Sequence, residues 1–263
     1  MMCMPPPMPP GPAAGAGAPG FAEAEHRRNF LLSALPPDIQ AALAARLEPV
    51  ALDTGSRLLS IGQASRHAYF PLTAVVAVMN SAPSGNSTLL AIVGAEGMIG
   101  IPGLLGAESA VGEALVQTSG SALRMDMAAF VSAFHADERM RRVVLGYMHA
   151  FVSQVSQTAF CNRFHAPDEQ LCTLLLRIMD RTRASEIRTT HDQLGRLAGV
   201  RRETVSHAAS RLQQRGVLTY HRGHVHVHDR ALLERSACDC YAIVEGAYAK
   251  TYYRDQPPPW RAP

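Results

Sequence analysis

The sequence predicts an α+β fold: an N-terminal antiparallel β-roll of jelly-roll type, a long dimerisation helix, and a C-terminal winged helix-turn-helix. Three observations predict it. Between Val50 and Met127, short apolar runs alternate with clusters of Gly, Ser, Pro and Asn, as in small antiparallel rolls and barrels. From Asp137 to about His165 there is no Pro and a single Gly, and apolar residues recur at spacings of four and three. From Thr190, two short helical patterns flank a Gly-containing turn, and a pair of β-rich runs follows them.

The chain has 263 residues, 47% of them hydrophobic, which is enough for two modest domains. Met1 to Gly20 is mostly Pro, Gly, Ala and Met and lacks the basic start of a secretory signal, so residues 1–25 are expected to be a disordered tail. No apolar stretch reaches the roughly 20 residues of a spanning helix, so no membrane partner and a cytoplasmic location are expected. The net charge of +3 matters less than its distribution. Acidic residues slightly outnumber basic ones between Gln40 and Phe130. From Arg177 to Arg235, basic residues are about twice as numerous as acidic ones and all are Arg. Such segregation marks a region that meets a polyanion, although an Arg and Ala bias is also what GC-rich coding produces.

In chain order, Arg28–Leu35 and Pro37–Leu47 read as short helices, the second with Pro37 at the first helical position and Ile39, Leu43 and Leu47 on one face. Ala74–Met79, Leu89–Val93 and Ala114–Gln117 read as strands, separated by turn clusters such as Ser81–Ser87 and Gly100–Gly106. In the long helix, Met140, Val144, Tyr147, Phe151, Gln154, Thr158 and Cys161 form a heptad seam for a homodimer. The alternative is packing on its own domain through Val143, Met148, Val152 and Val155. Pro167-Asp168-Glu169 opens the next helix, which runs to about Arg181, and Arg183–Ile187 breaks the pattern. The expected division is 26–136 for the sensor roll, 137–165 for the dimerisation helix, 166–241 for the winged helix-turn-helix and 242–263 for a C-terminal extension.

Thr190 is a plausible N-cap, with Gln193 as its capping-box partner. Leu194 and Leu197 point inward, and Gly199 ends the helix in the left-handed conformation. Arg201 to Arg215 forms the second helix, with Val205, Ala208, Ala209 and Leu212 buried. Its outer face offers Arg202, Glu203, Thr204, Ser206 and His207, with Arg201 and Arg211 flanking. Arg donates to guanine, Glu accepts from cytosine, and the N-terminal turns of a recognition helix reach base edges. Leu218–His221 and Val225–His228 make a wing around Arg222-Gly223, which places Arg222 to touch phosphate.

RRETVSHAASRLQQRGVL is similar to the recognition-helix segment of the Crp–Fnr family of bacterial transcription regulators, and GMIGIPGLLG falls where that family has its effector loop. The order of roll, long helix and winged helix matches too, so the resemblance spans roughly Asn29 to Tyr241. It implies a homodimer on a roughly palindromic site in double-stranded DNA, with RNA polymerase and an unknown small-molecule effector as further partners. His207 departs from the many members with Arg there. The resemblance places Gly97, Gly100, Ile101 and Pro102 in the effector pocket. Members that bind cyclic nucleotides follow the loop glycine with a ribose-binding Glu and later carry a phosphate-binding Arg. Here Ile101-Pro102 and Ser109–Ala114 supply neither, which implies that cyclic AMP is not the effector. Oxygen-sensing members need several N-terminal cysteines, and only Cys3 is present.

Five scattered cysteines give no disulfide framework. Cys238-Asp239-Cys240 and the alternating His224, His226 and His228 hint at a metal sensor, but a closed zinc site needs about four ligands. The alternative is solvated or phosphate-facing histidines and cysteines packed under a C-terminal helix, with Cys161 and Cys172 as inert core thiols. No metal, cofactor or catalytic group is therefore expected, and no phosphate-binding loop is present. The rival reading is a sensor in which the roll binds a metal, redox ligand or protein and the DNA domain is secondary.

Overall fold

A computed structural model describes residues 26–82 and 87–252. The expected tail, with Cys3, lies outside the described residues.

A single 3-10 turn (His26–Arg28) precedes α1 (Phe30–Ser33) and α2 (Pro37–Ala44). The strands β1 (Glu48–Leu52), β2 (Arg57–Leu59), β3 (His67–Pro71), β4 (Val75–Ser81) and β5 (Ser87–Val93) follow. Then come α3 (Ile101–Leu104), β6 (Glu113–Thr118) and β7 (Gly120–Asp126). Two antiparallel sheets result, ordered β1-β7-β3 and β2-β6-β4-β5, as expected of a roll. Val76 and Val93 are buried between the sheets with Leu59 and Ile99, whereas Phe70, Leu123 and Met125 are buried against the helices with Leu31 and Leu32.

The roll is extended by α4 (Met127–Ala136), which the strand-dominated reading of this region did not anticipate. Asp126 caps it by accepting from the Ala129 N–H at 2.9 Å, and Met127 and Phe130 are buried. The long helix α5 (Glu138–Phe164) begins where Asp137 accepts from the backbone of Arg139 and Met140. It ends at extended His165, two residues before Pro167.

The seam expected on α5 is reversed. Met140, Val144, Tyr147, Gln154, Thr158 and Cys161 are buried within the chain, against the roll and a C-terminal helix. Tyr147 donates to the Met98 carbonyl at 2.8 Å, and Gln154 to the Ile92 carbonyl at 3.0 Å. Gly97 makes room for this helix: a Cβ there would lie 2.3 Å from the Tyr147 ring. The exposed stripe is the adjacent one, including Leu145 and Val152. Two apolar stripes share the helix: the seam expected for dimerisation is buried within the chain, and Val152 of the adjacent one faces solvent.

Helix α6 (Pro167–Thr182) is buried continuously from Gln170 to Arg181 and crosses the centre of the molecule. Next come β8 (Glu186–Arg188), α7 (His191–Ala198), α8 (Arg202–Gln214), β9 (Leu218–His221), β10 (His224–Val227), α9 (Arg230–Ser236) and α10 (Cys240–Tyr252). A third sheet, β8-β10-β9, is antiparallel, with Ile187 opposite Val225. Thus part of the segment read as a pattern break is a strand. It has three residues and one apolar side chain, too short for a period to show. Helix α10 straddles the boundary expected between 241 and 242. It lies along α5, where the Tyr248 and Tyr147 rings are 6.4 Å apart and Thr251 donates to the Gly146 carbonyl at 3.2 Å.

Roll and C-terminal region share one apolar core, in which Met79, Leu89 and Ile92 meet Leu174, Leu194 and Leu197. Polar groups converge beside it. Arg181 pairs with Glu96 at 2.9 Å, and both side chains are at most 5% exposed. It also lies 3.6 Å from Glu245 and donates to Gln154 at 3.4 Å. Charges this deep remain only when paired, because desolvation costs several kcal/mol per ion. Removing Arg181 therefore takes the guanidinium partner from buried Glu96.

Candidate nucleic-acid interface

Local sequence builds the two-helix unit. Thr190 Oγ1 accepts from the Gln193 N–H at 3.1 Å, and Gln193 Oε1 accepts from the Thr190 N–H at 2.9 Å, which closes the capping box. Gly199 ends α7 at φ +67°, the left-handed region that disfavours a Cβ. Gly195 allows the turn to close, because a Cβ would meet the Val200 carbonyl at 2.9 Å. Val205, Ala208, Ala209 and Leu212 are buried along α8, and Val200 is half-buried against the same core.

The outer face follows from that inner one. Arg201, Arg202, Glu203, His207 and Arg211 are exposed, and Thr204 and Ser206 are half-buried. Two of these side chains have intramolecular partners. Ser206 Oγ lies 2.7 Å from His191 Nδ1, whose ring stacks on Tyr220 at 4.0 Å between centroids. Burial, and then the Arg202 charge, hold the His191 pKa below the usual histidine value. Arg211 donates from Nε to Asp168 at 2.8 Å, so its guanidinium is tied to the first turn of α6. Arg201, Arg202, Glu203 and His207 are the outermost of the set.

The wing is a two-residue hairpin in which Arg222 (φ +48°) and Gly223 (φ +82°) both adopt positive φ. That is the type I′ geometry matching the twist of paired strands. It holds exposed Arg222 at the tip, in a conformation that costs a non-Gly residue about 1 kcal/mol. Beside it, His224 Nδ1 meets Glu186 at 2.5 Å, and His226 and His228 are exposed with rings 4.9 Å apart. The three histidines thus line an outer surface and do not join the cysteines.

In the roll, Gly100, Ile101 and Pro102 line a cavity of about 180 Å³ together with Leu59, Val78 and Phe151. Gly97 lies elsewhere, against Tyr147, and its carbonyl accepts from Asn29 at 2.9 Å. The residues around the cavity carry neither a carboxylate nor a guanidinium. Glu113 is engaged outside it by Ser81 at 2.6 Å and Arg57 at 3.2 Å.

Comparison with known proteins agrees with both halves of this picture. A Crp-like helix-turn-helix domain model matches residues 169–236, and a cyclic nucleotide-binding domain model matches residues 49–137. The CRP-like cAMP-activated global transcriptional regulator of Mycobacterium tuberculosis is 25% identical over 218 residues, covering 80% of this chain and 97% of that protein. This chain belongs to the Crp–Fnr family of transcription regulators.

The fold of the family is recovered at low sequence identity. The structure of FixK2 from Bradyrhizobium japonicum superposes with a TM-score of 0.63 at 17% identity, over 73% of this chain and 98% of that one. The c-di-GMP responsive global regulator CLP of Xanthomonas campestris gives 0.63 at 14% identity, over 74% and 100%. Among the described residues, no helix of this Crp–Fnr member is long and apolar enough to cross a membrane. Sequence reasoning missed the Asp168–Arg211 and Ser206–His191 contacts, which join residues 43 and 15 positions apart. It also missed the Arg181 hub. Arg181 follows the apolar run Leu174–Leu176, Ile178 and Met179 on one helix, the signal in the sequence that could have flagged it.

Proposed function

We propose that this Crp–Fnr protein is a homodimer that reads a two-fold symmetric DNA site and does not respond to cyclic AMP. The observation that carries the reading is the contrast between the exposed Arg201, Arg202, Glu203 and His207 on α8 and the wholly apolar pocket of the roll. Arg202 and Glu203 stand at the N-terminal turn of the recognition helix, where Arg pairs with guanine and Glu with cytosine. His207 donates one hydrogen bond where Arg would give a fork. Thr204 and Ser206 support the same surface, Arg211 flanks it while paired with Asp168, and Arg222 serves phosphate.

Dimerisation uses the outer stripe of α5. Leu145, Met148, Val152, Val155 and Ala159 recur at alternating spacings of three and four and are exposed or half-buried. A second copy of the same stripe covers them. Residues 26–136 then form the sensor, 137–165 the dimer helix and 166–241 the DNA reader. The protein acts in the cytoplasm, with no catalytic role, and meets RNA polymerase when bound near a promoter.

A conformational step completes the reading. Arg201, Arg202 and Glu203 line a cleft of about 810 Å³ whose opposite wall is Asn80, Ser81 and Thr88 of the roll. Seating α8 in a major groove requires these walls to part. A ligand drives that motion only by binding the two arrangements with different affinity, and the pocket at Ile101 and Pro102 suits an uncharged apolar one.

Selection of bound sites from a random duplex library at two salt concentrations tests this. The expected result is a two-fold symmetric consensus with half-sites about one DNA turn apart. Binding without a consensus, lost steeply as salt rises, would leave only phosphate contacts and favour the sensor reading.

A further inference from the structure

Three cysteines and a histidine that no DNA-reading role uses come together at the joint between α5 and α6. Cys161 and His165 stand one helical turn apart at the end of α5. Cys238 lies in the short link between α9 and α10, and Cys240, beyond Asp239, is the first residue of α10. The four ligand atoms all lie within 4.8 Å of one another. The Cys161 and Cys238 sulfurs are 3.5 Å apart, and the Cys240 sulfur is 3.5 Å from His165 Nδ1. A tetrahedral zinc site with Zn–S of about 2.3 Å and Zn–N of about 2.0 Å has ligand–ligand edges of roughly 3.5–3.8 Å. Two edges already have that length, and the others, at most 4.8 Å, close by no more than about 1.3 Å.

We propose that Cys161, His165, Cys238 and Cys240 form a closed Cys3His site for one zinc ion, which clamps the start of α10 to the end of α5. The surroundings fit a site more closely than an ordinary core. The three cysteines pack on one another as a separate cluster and not among aliphatic side chains. All three are buried and His165 is half-buried. Outer-shell groups are in place. Thr173 Oγ1 lies 3.1 Å from the Cys238 sulfur, and Gln170 donates to the carbonyls of Cys161 and His165 at 3.1 and 2.8 Å. Buried Arg177 donates to the Cys240 carbonyl at 3.4 Å, and its Nε has no hydrogen-bond partner. Three thiolates, a neutral imidazole and Zn²⁺ carry a net charge of −1, which this guanidinium offsets. Binding releases the three thiol protons to solvent, with no change of oxidation state. An iron–sulfur cluster places several metal ions between its thiolates and needs them farther apart than these four atoms stand.

The site fixes the joint through which α5 meets the DNA-reading unit, so zinc would set the stiffness of that joint. The ligand set itself does not depend on the DNA-reading proposal.

The test is metal analysis of the full chain, purified under reducing conditions without chelator, together with cobalt titration of the metal-free protein. The expected result is about one zinc per chain, with cobalt giving the visible and near-ultraviolet bands of a tetrahedral thiolate site. C240S and H165A should lose the zinc, and C172A, which changes a thiol outside the cluster, should keep it. Should C240S or H165A fail to fold, the wild-type cobalt spectrum and a fall in melting temperature on chelation decide alone. Stoichiometry near zero without thiolate–cobalt bands would overturn the site. So would iron with inorganic sulfide, or a Cys161–Cys238 disulfide that excludes metal in the reduced preparation.

Discussion

The recognition helix and the roll pocket rest on separate apolar clusters, and they treat polar chemistry in opposite ways. On α8, buried Val205, Ala208, Ala209 and Leu212 hold a face of exposed Arg, Glu and His. In the roll, equally ordered packing around Gly100, Ile101 and Pro102 encloses a cavity with only apolar walls. The relative from Mycobacterium tuberculosis is cAMP-activated and shares both halves of the architecture. Folds are kept by inward-facing residues, whereas ligand class is set by the few side chains at a pocket wall. Here one half presents charged side chains outward, and the other lines its cavity with neither a carboxylate nor a guanidinium.

The largest effect that would break this comparison is at Arg181, which ties the halves together. R181M leaves Glu96 buried without its partner and should cost about 3–5 kcal/mol, read by urea denaturation. Adding E96Q should recover part of the loss. A loss well under about 3 kcal/mol, or no recovery on adding E96Q, would show that the halves do not depend on this contact. Next is V152E, which sets a carboxylate in the outer stripe of α5. Like charges meeting across a dimer cost several kcal/mol, so sedimentation at one concentration should show dimers for the native chain and monomers for V152E.

R202A sharpens the DNA side. It should weaken binding to a selected site by about 1–3 kcal/mol and relax the preference at one base pair of each half-site. The smallest effect is expected at the wing. R222N keeps a residue that tolerates positive φ and removes only the charge, so affinity should fall equally for all sequences and the salt slope should drop by about 1.

The legible parts of the fold were the locally determined ones. Thr190 with Gln193, Gly199, and the Arg222-Gly223 turn each specify geometry within four residues, and each is found as read. The long helix was legible as a helix but not in orientation. Met140, Val144 and Tyr147 keep heptad spacing as well as Leu145, Met148 and Val152 do, and periodicity does not reveal which stripe α10 and the roll will cover. The cysteine cluster was visible only in halves. Cys161 and His165 lie one turn apart at the end of α5 and Cys238 and Cys240 flank Asp239 at the start of α10, but 77 positions separate Cys161 from Cys238 and nothing local joins them. The engagement of Arg211 by Asp168 was hidden for the same reason.

The most direct test of the account measures affinity for the selected DNA site with and without saturating cyclic AMP, alongside calorimetry of the nucleotide alone. The account predicts no binding heat and the same DNA affinity within about twofold, since a ligand without differential affinity shifts no equilibrium. Tightening of about tenfold or more, with micromolar nucleotide binding, would contradict it and show that the apolar pocket opens to admit a phosphate.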